Sequence, residues 1–321
     1  MGQKDIMEKE YMSRPEYFAD AFNYLIYQGE QIIREDALSV LDTTEIALFP
    51  KKKRRRRHKR ETVWQGIEKL RDVLKKCVVM EDERNTYLLL GIENQTNVHY
   101  AMPVRNMLYD AISYYKQVVE RGNFNRRKKL VKSSEDFLSG MLPTDRLKPV
   151  ITLVIYFGSS GWDGPRSLKE MFQDMDEHLL GFVNDYKLNL IVPDEIEDFT
   201  AFSTDFGKVL HYIKISGKEN GSDLICNEDS FRQMDNDSVR LINVLTNSEL
   251  EINEKEGVTD VCVAWDTCKK NAIQEGIKEG MEQNCLANIH ALMISMEWTA
   301  ERAMEALQIP ENERADYLAK L

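Results

Sequence analysis

The chain has 321 residues, of which 42% are hydrophobic and 30% charged, so it has enough apolar material for a folded core and is not a wholly disordered protein. Its longest apolar run, residues 150–157, has eight residues, whereas a bilayer-spanning helix needs roughly 20; the first ten residues are charged where a signal peptide would be apolar. We therefore expect a cytoplasmic protein with no membrane partner. Residues 1–150 contain 28 Lys and Arg against 22 Asp and Glu, and residues 151–321 contain 15 against 32, so only the first half is suited to contact a polyanion.

The first predicted helix has Ser13 as its cap and Pro15 in its first turn. Its apolar residues recur at helical spacing from Tyr17 to Ile26, which predicts one buried face. Asp20 lies at the edge of that face. It is a candidate acid for a functional site, and a solvated surface residue is the alternative.

A strongly basic block follows, with nine cations among the ten residues from Lys51 to Arg60. Such a block cannot pack in a core, so we expect a solvated loop or arm. We predict that three cations of this block contact a nucleic-acid backbone: Lys51, Arg54 and Arg57. A purely solubilising insertion is the alternative.

Two apolar segments come next and predict a hairpin. Val73 to Val79 indicates a strand, residues 81–85 a polar turn, and Tyr87 to Ile92 a second strand that is apolar on both faces, as in the centre of a covered sheet. A helix from Pro103, a buried strand over residues 150–157 and another strand over residues 187–192 follow. This order predicts a mixed α/β domain over residues 1–195.

The remainder of the chain is expected to be mostly helical. We predict a helical extension over residues 196–270, then a Glu/Gly-rich connector helix and a small helical tail over residues 271–321, with Thr299 as a helix cap. This acidic region is a candidate surface for a protein partner or for homo-oligomerisation. The five scattered cysteines contain no Cys-x-x-Cys pair, and we expect reduced thiols.

The candidate chemistry lies at the ends of the predicted hairpin. Glu93 follows the second strand directly, Gln95 points to the same side by strand alternation, and the antiparallel return brings Asp72 beside Glu93. Two convergent carboxylates form a hard oxygen site suited to Mg²⁺ or Mn²⁺. An ordinary turn acid at Asp72 and a structural polar pair at Glu93 and Gln95 are the alternatives.

The same reasoning suggests cations that would grip a phosphate. Lys75 is three residues after Asp72, and Arg105 and Tyr109 share a face of the following helix. An arginine fork at that place can bind a backbone phosphate. The alternative for Arg105 and Tyr109 is a packing pair at the edge of the core.

The arrangement Asp-x₂₀-Glu-x-Gln on consecutive strands resembles the PD-(D/E)xK nuclease superfamily, with glutamine at the usual lysine position. The wider sequence is more specific. It is similar to the bacterial recombination-promoting nuclease or transposase-like family, also called YhgA-like, in segments that include residues 15–23, 41–45, 71–75, 90–96, 100–110, 147–153, 162–168 and 185–190.

The resemblance implies a restriction-endonuclease-like core and a metal-dependent DNA endonuclease that promotes recombination. It also implies that Asp72 and Glu93 are metal ligands and that Gln95 replaces the superfamily lysine. If these two carboxylates hold the ion, we expect the backbone carbonyl of Asn94 to be a third ligand. The basic block at 51–60 is longer than the resemblance leads us to expect. A catalytically degenerate protein that binds nucleic acid or recruits a partner is the alternative function.

Overall fold

The computed structural model describes residues 2–41, 44–51, 63–70, 72–81, 84–218 and 220–321. The chain forms two compact units, one made of residues 1–248 and 252–261, the other of residues 249–251 and 262–321. Within the described ranges, no helix combines the length and the apolar character that crossing a bilayer requires.

The first unit contains most of the secondary structure. Its helices are α1 (Gln3–Ser13), α2 (Pro15–Tyr27), α3 (Met102–Arg127), α4 (Ser134–Ser139), α5 (Glu177–Gly181), α6 (Asp205–Ser216), α7 (Gly221–Asn227) and α8 (Asn236–Thr246). Its strands are β1 (Leu38–Val40), β2 (Thr44–Lys51), β3 (Val63–Leu70), β4 (Val73–Glu81), β5 (Arg84–Gln95), β6 (Val150–Tyr156), β7 (Asn189–Ile191), β8 (Met234–Asp235) and β9 (Val258–Thr259).

Five strands form a mixed sheet in the order β1-β4-β5-β6-β7. The pairs β1–β4 and β4–β5 are antiparallel, whereas β5–β6 and β6–β7 are parallel. The predicted hairpin is β4–β5, and the expectation of an α/β protein with a mixed sheet and a mostly helical C-terminal region is confirmed. The pairs β2–β3 and β8–β9 form two further small sheets.

Strand alternation assigns the two faces of this sheet to different helices. Val73 pairs with Ile92 and Lys75 pairs with Leu90, so these four side chains share one face of the sheet. This face packs against α1 and α2, as the position of the Lys75 ammonium over the Phe18 ring shows. Glu93 points to the opposite face, where it contacts Arg105 of α3. The carboxyl end of β5 is therefore enclosed between helices on both faces.

The N-terminal helices correct two expectations. Ser13 is the last residue of α1 and its hydroxyl donates to the Glu10 carbonyl, so it does not cap α2, whose N-cap is Arg14. Asp20 is buried rather than solvated: its carboxylate accepts hydrogen bonds from the backbone and hydroxyl groups of Ser203 and Thr204 at the start of α6. Asp20 therefore has a structural role, because it satisfies donors at a buried helix N-terminus.

The second unit is helical and consists mainly of α9 (Val261–Met296), α10 (Ala300–Ala306) and α11 (Glu311–Leu318). Ile289, Ala303, Met304 and Ile309 form its buried cluster. Thr299 accepts a hydrogen bond from the Arg302 amide and caps α10, as expected.

The cysteines correct one further expectation. Cys77, Cys268 and Cys285 are free, but Cys226 and Cys262 are each disulfide-bonded, so the chain does not contain five thiols. The absence of a Cys-x-x-Cys pair did not exclude a disulfide, because disulfide formation depends on distance in space and not on spacing in sequence.

Candidate functional site at the end of the β4–β5 hairpin

The hairpin brings Asp72 and Glu93 to neighbouring strand ends. Asp72 immediately precedes β4, and the pairing of Val73 with Ile92 sets Asp72 opposite Glu93. The Asp72 carboxylate accepts a hydrogen bond of 2.8 Å from the Asn94 backbone amide. Burial raises the pKa of the Asp72 carboxyl, while the Asn94 amide and then the Arg105 charge act in the opposite direction.

Glu93 is completely buried and forms an ion pair with Arg105. The distance from Arg105 Nη2 to Glu93 Oε2 is 2.9 Å, and the Arg105 side chain is 29% exposed. Arg105 Nε donates to Tyr109 Oη at 3.1 Å, so the two predicted phosphate-binding residues contact each other. The Arg105 guanidinium thus links the buried acid to the surface of the site.

Gln95 and Asn94 form a local contact that the sequence did not reveal. Gln95 Nε2 donates to the Asn94 carbonyl oxygen at 2.6 Å. This is the same carbonyl that we predict as the third metal ligand, so the Gln95 amide occupies a direction from which a cation would approach. Asn94 as a whole is only 7% exposed, and its side-chain Oδ1 and Nδ2 have no hydrogen-bond partner among the described residues.

A cavity of about 360 Å³ opens beside these residues. Among the described residues, three acids line it, two of which come from α1, and Glu93 is not one of them. Its lining includes Asp5, Glu8, Asp72, Asn94, Gln95 and Arg105.

Glu8 is the acid that sequence reasoning missed. The residue is 1% exposed, and its carboxylate accepts a hydrogen bond of 2.9 Å from Thr96 Oγ1, two residues after Asn94. Burial raises the pKa of Glu8 to about 7, the Thr96 bond opposes this, and the charges of Asp5 and Asp72 raise the pKa further. A signal was present in the sequence, since Glu8, Tyr11 and Met12 share the buried face of a helical turn.

Lys75 is not where the sequence prediction requires it. Its ammonium is buried, donates to the Ser13 carbonyl at 2.7 Å and lies 4.6 Å from the centre of the Phe18 ring. The prediction that Lys75 contacts DNA is therefore wrong, because β4 turns this side chain to the α1–α2 face and out of reach of solvent. Burial lowers its pKa to about 8.

Of the basic block at 51–60, the structure describes only Lys51. Lys51 is the last residue of β2, and only its backbone pairing, with Val63, is described. Arg54 and Arg57 lie outside the described residues. Their predicted contacts with a nucleic-acid backbone stay predictions.

The donor set at the cavity is rich in oxygen. In the part of the chain that the structure describes, no three His, Cys, Asp or Glu side chains form a group that could hold a metal ion. The carboxylates of Asp5, Glu8 and Asp72 nevertheless line the cavity, and hard oxygen donors of this kind fit Mg²⁺ or Mn²⁺ rather than a soft metal.

Comparison with known proteins found no match for this chain among protein-family models, curated proteins or solved structures.

Proposed function

We propose that this protein is a metal-dependent DNA endonuclease of the PD-(D/E)xK type, with a restriction-endonuclease-like core, that promotes recombination by hydrolysing phosphodiester bonds. The observation that supports this function best is the convergence of Asp72, Glu93 and Arg105 at one end of the β4–β5 hairpin, beside an acidic cavity. The mixed sheet with helices on both faces has the layer order that such a core requires.

The residues around the cavity would have different roles in phosphodiester hydrolysis. Asp72 faces the cavity and is the first candidate to hold the cation. A bound Mg²⁺ or Mn²⁺ would supply a water nucleophile and neutralise charge on the phosphate. Gln95 orients a water or a phosphate oxygen by hydrogen bonding, but its amide cannot accept a proton or provide positive charge.

Arg105 provides the positive charge that the superfamily takes from lysine. One edge of its guanidinium is held by Glu93 and Tyr109, and its partial exposure leaves N–H donors for a phosphate oxygen. Glu93 then contributes by fixing the guanidinium, because a planar fork loses little freedom once one edge is anchored.

The DNA itself would be held largely through its phosphates. The excess of Lys and Arg in residues 1–150, which is concentrated at 51–60, supplies the sequence-independent electrostatic attraction that dominates such binding. The acidic C-terminal region would repel DNA, and its proposed role is contact with a protein partner or a second copy.

The test is cleavage of supercoiled plasmid by the purified full-length protein with Mg²⁺, with Mn²⁺ and with EDTA. We expect cleavage that depends on the metal and that is abolished in Asp72→Asn and Glu93→Gln. Asp36→Asn is the matched control, since Asp36 is exposed and pairs only with Arg34 among its described ion pairs. Full activity in either site variant would reject the assigned site.

A second function is favoured by the Glu93–Arg105 ion pair together with glutamine at the lysine position. These features also suit a degenerate protein that binds nucleic acid without cutting it. In that case the protein would retard duplex DNA in a gel but would leave the plasmid intact with either metal.

A further inference from the structure

A second basic surface lies at the C-terminal end of α3. Residues 121–132 contain six Lys or Arg and no Asp or Glu. Five of these cations are exposed and have no ion pair among the described residues, and we call them the α3-end cluster: Arg126, Arg127, Lys128, Lys129 and Lys132. Cations gathered on one surface without compensating acids attract a polyanion.

Two acids of the segment that follows α3 serve the fold and not the cluster. Asp136 accepts the backbone amide of Lys132 at 3.1 Å and caps α4. Asp145 accepts the Asn125 side-chain amide at 2.7 Å, and its ion pair is with Arg121. Within the described chain, neither carboxylate forms an ion pair with a member of the α3-end cluster.

The end of α3 is held firmly by the segment around Gly140. A β-carbon on Gly122 would lie 2.9 Å from the Ser139 carbonyl oxygen, and one on Gly140 would lie 2.8 Å from the Gly122 α-carbon, so the two segments pack backbone to backbone. Asn125 is 1% exposed and donates to the Gly140 carbonyl at 2.9 Å. The cations therefore project from a fixed base, which reduces the ordering that binding a ligand would require.

Stabilisation of the helix end explains only part of the cluster. Arg126 and Arg127 lie in the last turn of α3, where cations interact favourably with the helix dipole. Lys128, Lys129 and Lys132 follow that turn. Lys129 has a φ of 55°, a backbone conformation that favours glycine or asparagine. The backbone does not explain a lysine at this position, so its charge needs another explanation.

The spacing of the cluster from Arg105 matches one turn of duplex DNA. Arg127 follows Arg105 by 22 residues of the same helix, which at a rise of about 1.5 Å per residue separates them by about 33 Å along the axis. These 22 residues make slightly more than six turns, so the two positions differ by only about 40° around the axis. The duplex repeats every 34–36 Å, or about 10 base pairs.

We propose that the α3-end cluster binds the phosphate backbone of the same DNA duplex that Arg105 contacts, about one helical turn away from the cleavage site. The inference rests on the proposed function, because the other contact is Arg105. It adds a length requirement to DNA binding. A duplex shorter than one turn reaches only one of the two contacts, whereas a longer duplex joins both and gains affinity from their linkage.

Fluorescence anisotropy with labelled duplexes of about 8 and about 24 base pairs tests this arrangement in EDTA, without cleavage. The full-length cluster variant retains Arg126, whose guanidinium lies close to Gly140, and combines four substitutions: Arg127→Gln, Lys128→Gln, Lys129→Gln and Lys132→Gln. The matched control changes the net charge equally at four exposed positions elsewhere: Lys218→Gln, Lys255→Gln, Lys269→Gln and Lys278→Gln. Thermal melting shows that both proteins are folded.

We expect the cluster variant to bind the longer duplex about tenfold or more weakly than the unmodified protein does. The slope of log K against log salt should fall by about 2 to 4, since each phosphate contact contributes about 0.9. The ratio of the affinities for the longer and the shorter duplex should fall by about tenfold as well. The control should keep the slope and should retain both affinities within about twofold.

Two outcomes overturn the inference and leave the proposed endonuclease intact. One is equal binding of the longer duplex by the cluster variant and the control. The other is an equal loss on both duplexes, which would mean that the cluster and Arg105 do not hold one duplex together. Absence of DNA binding by the unmodified protein would overturn both the inference and the proposed function.

Phosphatidylserine-containing vesicles are the second probe, because an anionic lipid surface also attracts exposed cations. We expect the cluster variant to differ from the control in DNA affinity and not in vesicle binding. A loss of vesicle binding in the cluster variant with unchanged DNA affinity would assign the cluster to a lipid surface and would overturn the inference.

Discussion

Arg105 and Glu93 form an ion pair in which the carboxylate is wholly buried while the guanidinium reaches the surface. Their 2.9 Å contact joins α3 to the carboxyl end of β5. A buried carboxylate that stays ionised needs a partner that compensates its charge. The pair therefore links the stability of the site to the phosphate binding proposed for Arg105.

Removing only the guanidinium should be strongly destabilising. We expect Arg105→Gln to lower the free energy of unfolding by about 3–5 kcal/mol, because it leaves the Glu93 charge buried without its partner. The double variant Arg105→Gln/Glu93→Gln should recover most of that loss. Urea denaturation of the two single variants and the double variant measures the coupling.

The control for this cycle is Arg34→Gln, whose ion pair with Asp36 is exposed at both ends. It should cost about 1 kcal/mol or less. If the effects of Arg105→Gln and Glu93→Gln simply add, the two side chains do not compensate each other in solution.

The second prediction concerns pH and Glu8. Burial raises the Glu8 pKa to about 7, whereas the carboxyl of the unfolded chain titrates near its ordinary value of 4.5. Between these pH values the folded protein binds more protons than the unfolded chain, so stability should fall as pH rises. The shift corresponds to about 3 kcal/mol over that interval.

Glu8→Gln should remove this component of the pH dependence, and Glu10→Gln should retain it. The measurement is urea unfolding at a series of pH values in EDTA. Identical slopes in the Glu8→Gln and unmodified proteins would show that Glu8 is not protonated in the fold.

The hairpin could be predicted because its information is local. Two apolar runs indicate β4 and β5, and the antiparallel return between them brings Asp72 beside Glu93, so the two carboxylates were found from 22 consecutive residues. Glu8 could not be placed in this way. It lies 64 residues before Asp72, and only the packing of α1 against β5 and β4 brings it to the cavity.

The prediction for Lys75 was wrong for a related reason. Spacing along β4 gives the distance from Asp72, but charge alone led to the expectation of an exposed side chain. The structure places it under the α1–α2 junction, where the Ser13 carbonyl needs a donor and the Phe18 ring accepts a cation. The role of Lys75 is therefore determined by the end of α1, which lies about 60 residues earlier in the chain and which its ammonium binds.

The third prediction follows from that burial. The Lys75 pKa of about 8 lies below its ordinary value of 10.5, so between these values the unfolded chain binds more protons and stability should rise with pH. At neutral pH Lys75→Met should stabilise the fold by about 1–2 kcal/mol, since the cost of burying the charge exceeds the one hydrogen bond lost.

DNA affinity should be unchanged in Lys75→Met, because the ammonium is out of reach of a phosphate. The matched control is Lys76→Met, the next residue on β4, whose side chain is partly exposed on the opposite face. Thermal melting and a DNA-binding titration on the same samples check both statements. A loss of DNA affinity confined to Lys75→Met would restore the original prediction for this residue.

The fourth prediction concerns the basic block. Replacing residues 52–60 with a Gly/Ser segment of equal length should weaken DNA binding and flatten its dependence on salt, since each phosphate contact contributes about 0.9 to the slope of log K against log salt. The Mn²⁺ affinity should not change. The comparison variant neutralises Arg126, Arg127, Lys128 and Lys129, a second basic cluster at the end of α3. An unaltered salt slope after the 52–60 replacement would identify that block as a solvated loop.

The last prediction concerns Gln95, whose amide donates to the Asn94 carbonyl at 2.6 Å. If this contact only satisfies the backbone at the strand end, Gln95→Ala should cost about 1 kcal/mol of stability and leave single-turnover cleavage intact. If Gln95 also orients a water or phosphate oxygen, the rate should fall by about 10²- to 10⁴-fold.

Gln95→Lys separates the two roles further. A lysine provides the positive charge found at this position in the nuclease superfamily and can still donate to the Asn94 carbonyl, so it should preserve or raise the cleavage rate. Melting temperature and single-turnover rate are measured on both variants. A stability loss in Gln95→Ala with an unchanged rate would remove Gln95 from the catalytic residues, and Arg105 would then be the cation on which phosphate binding at this site depends.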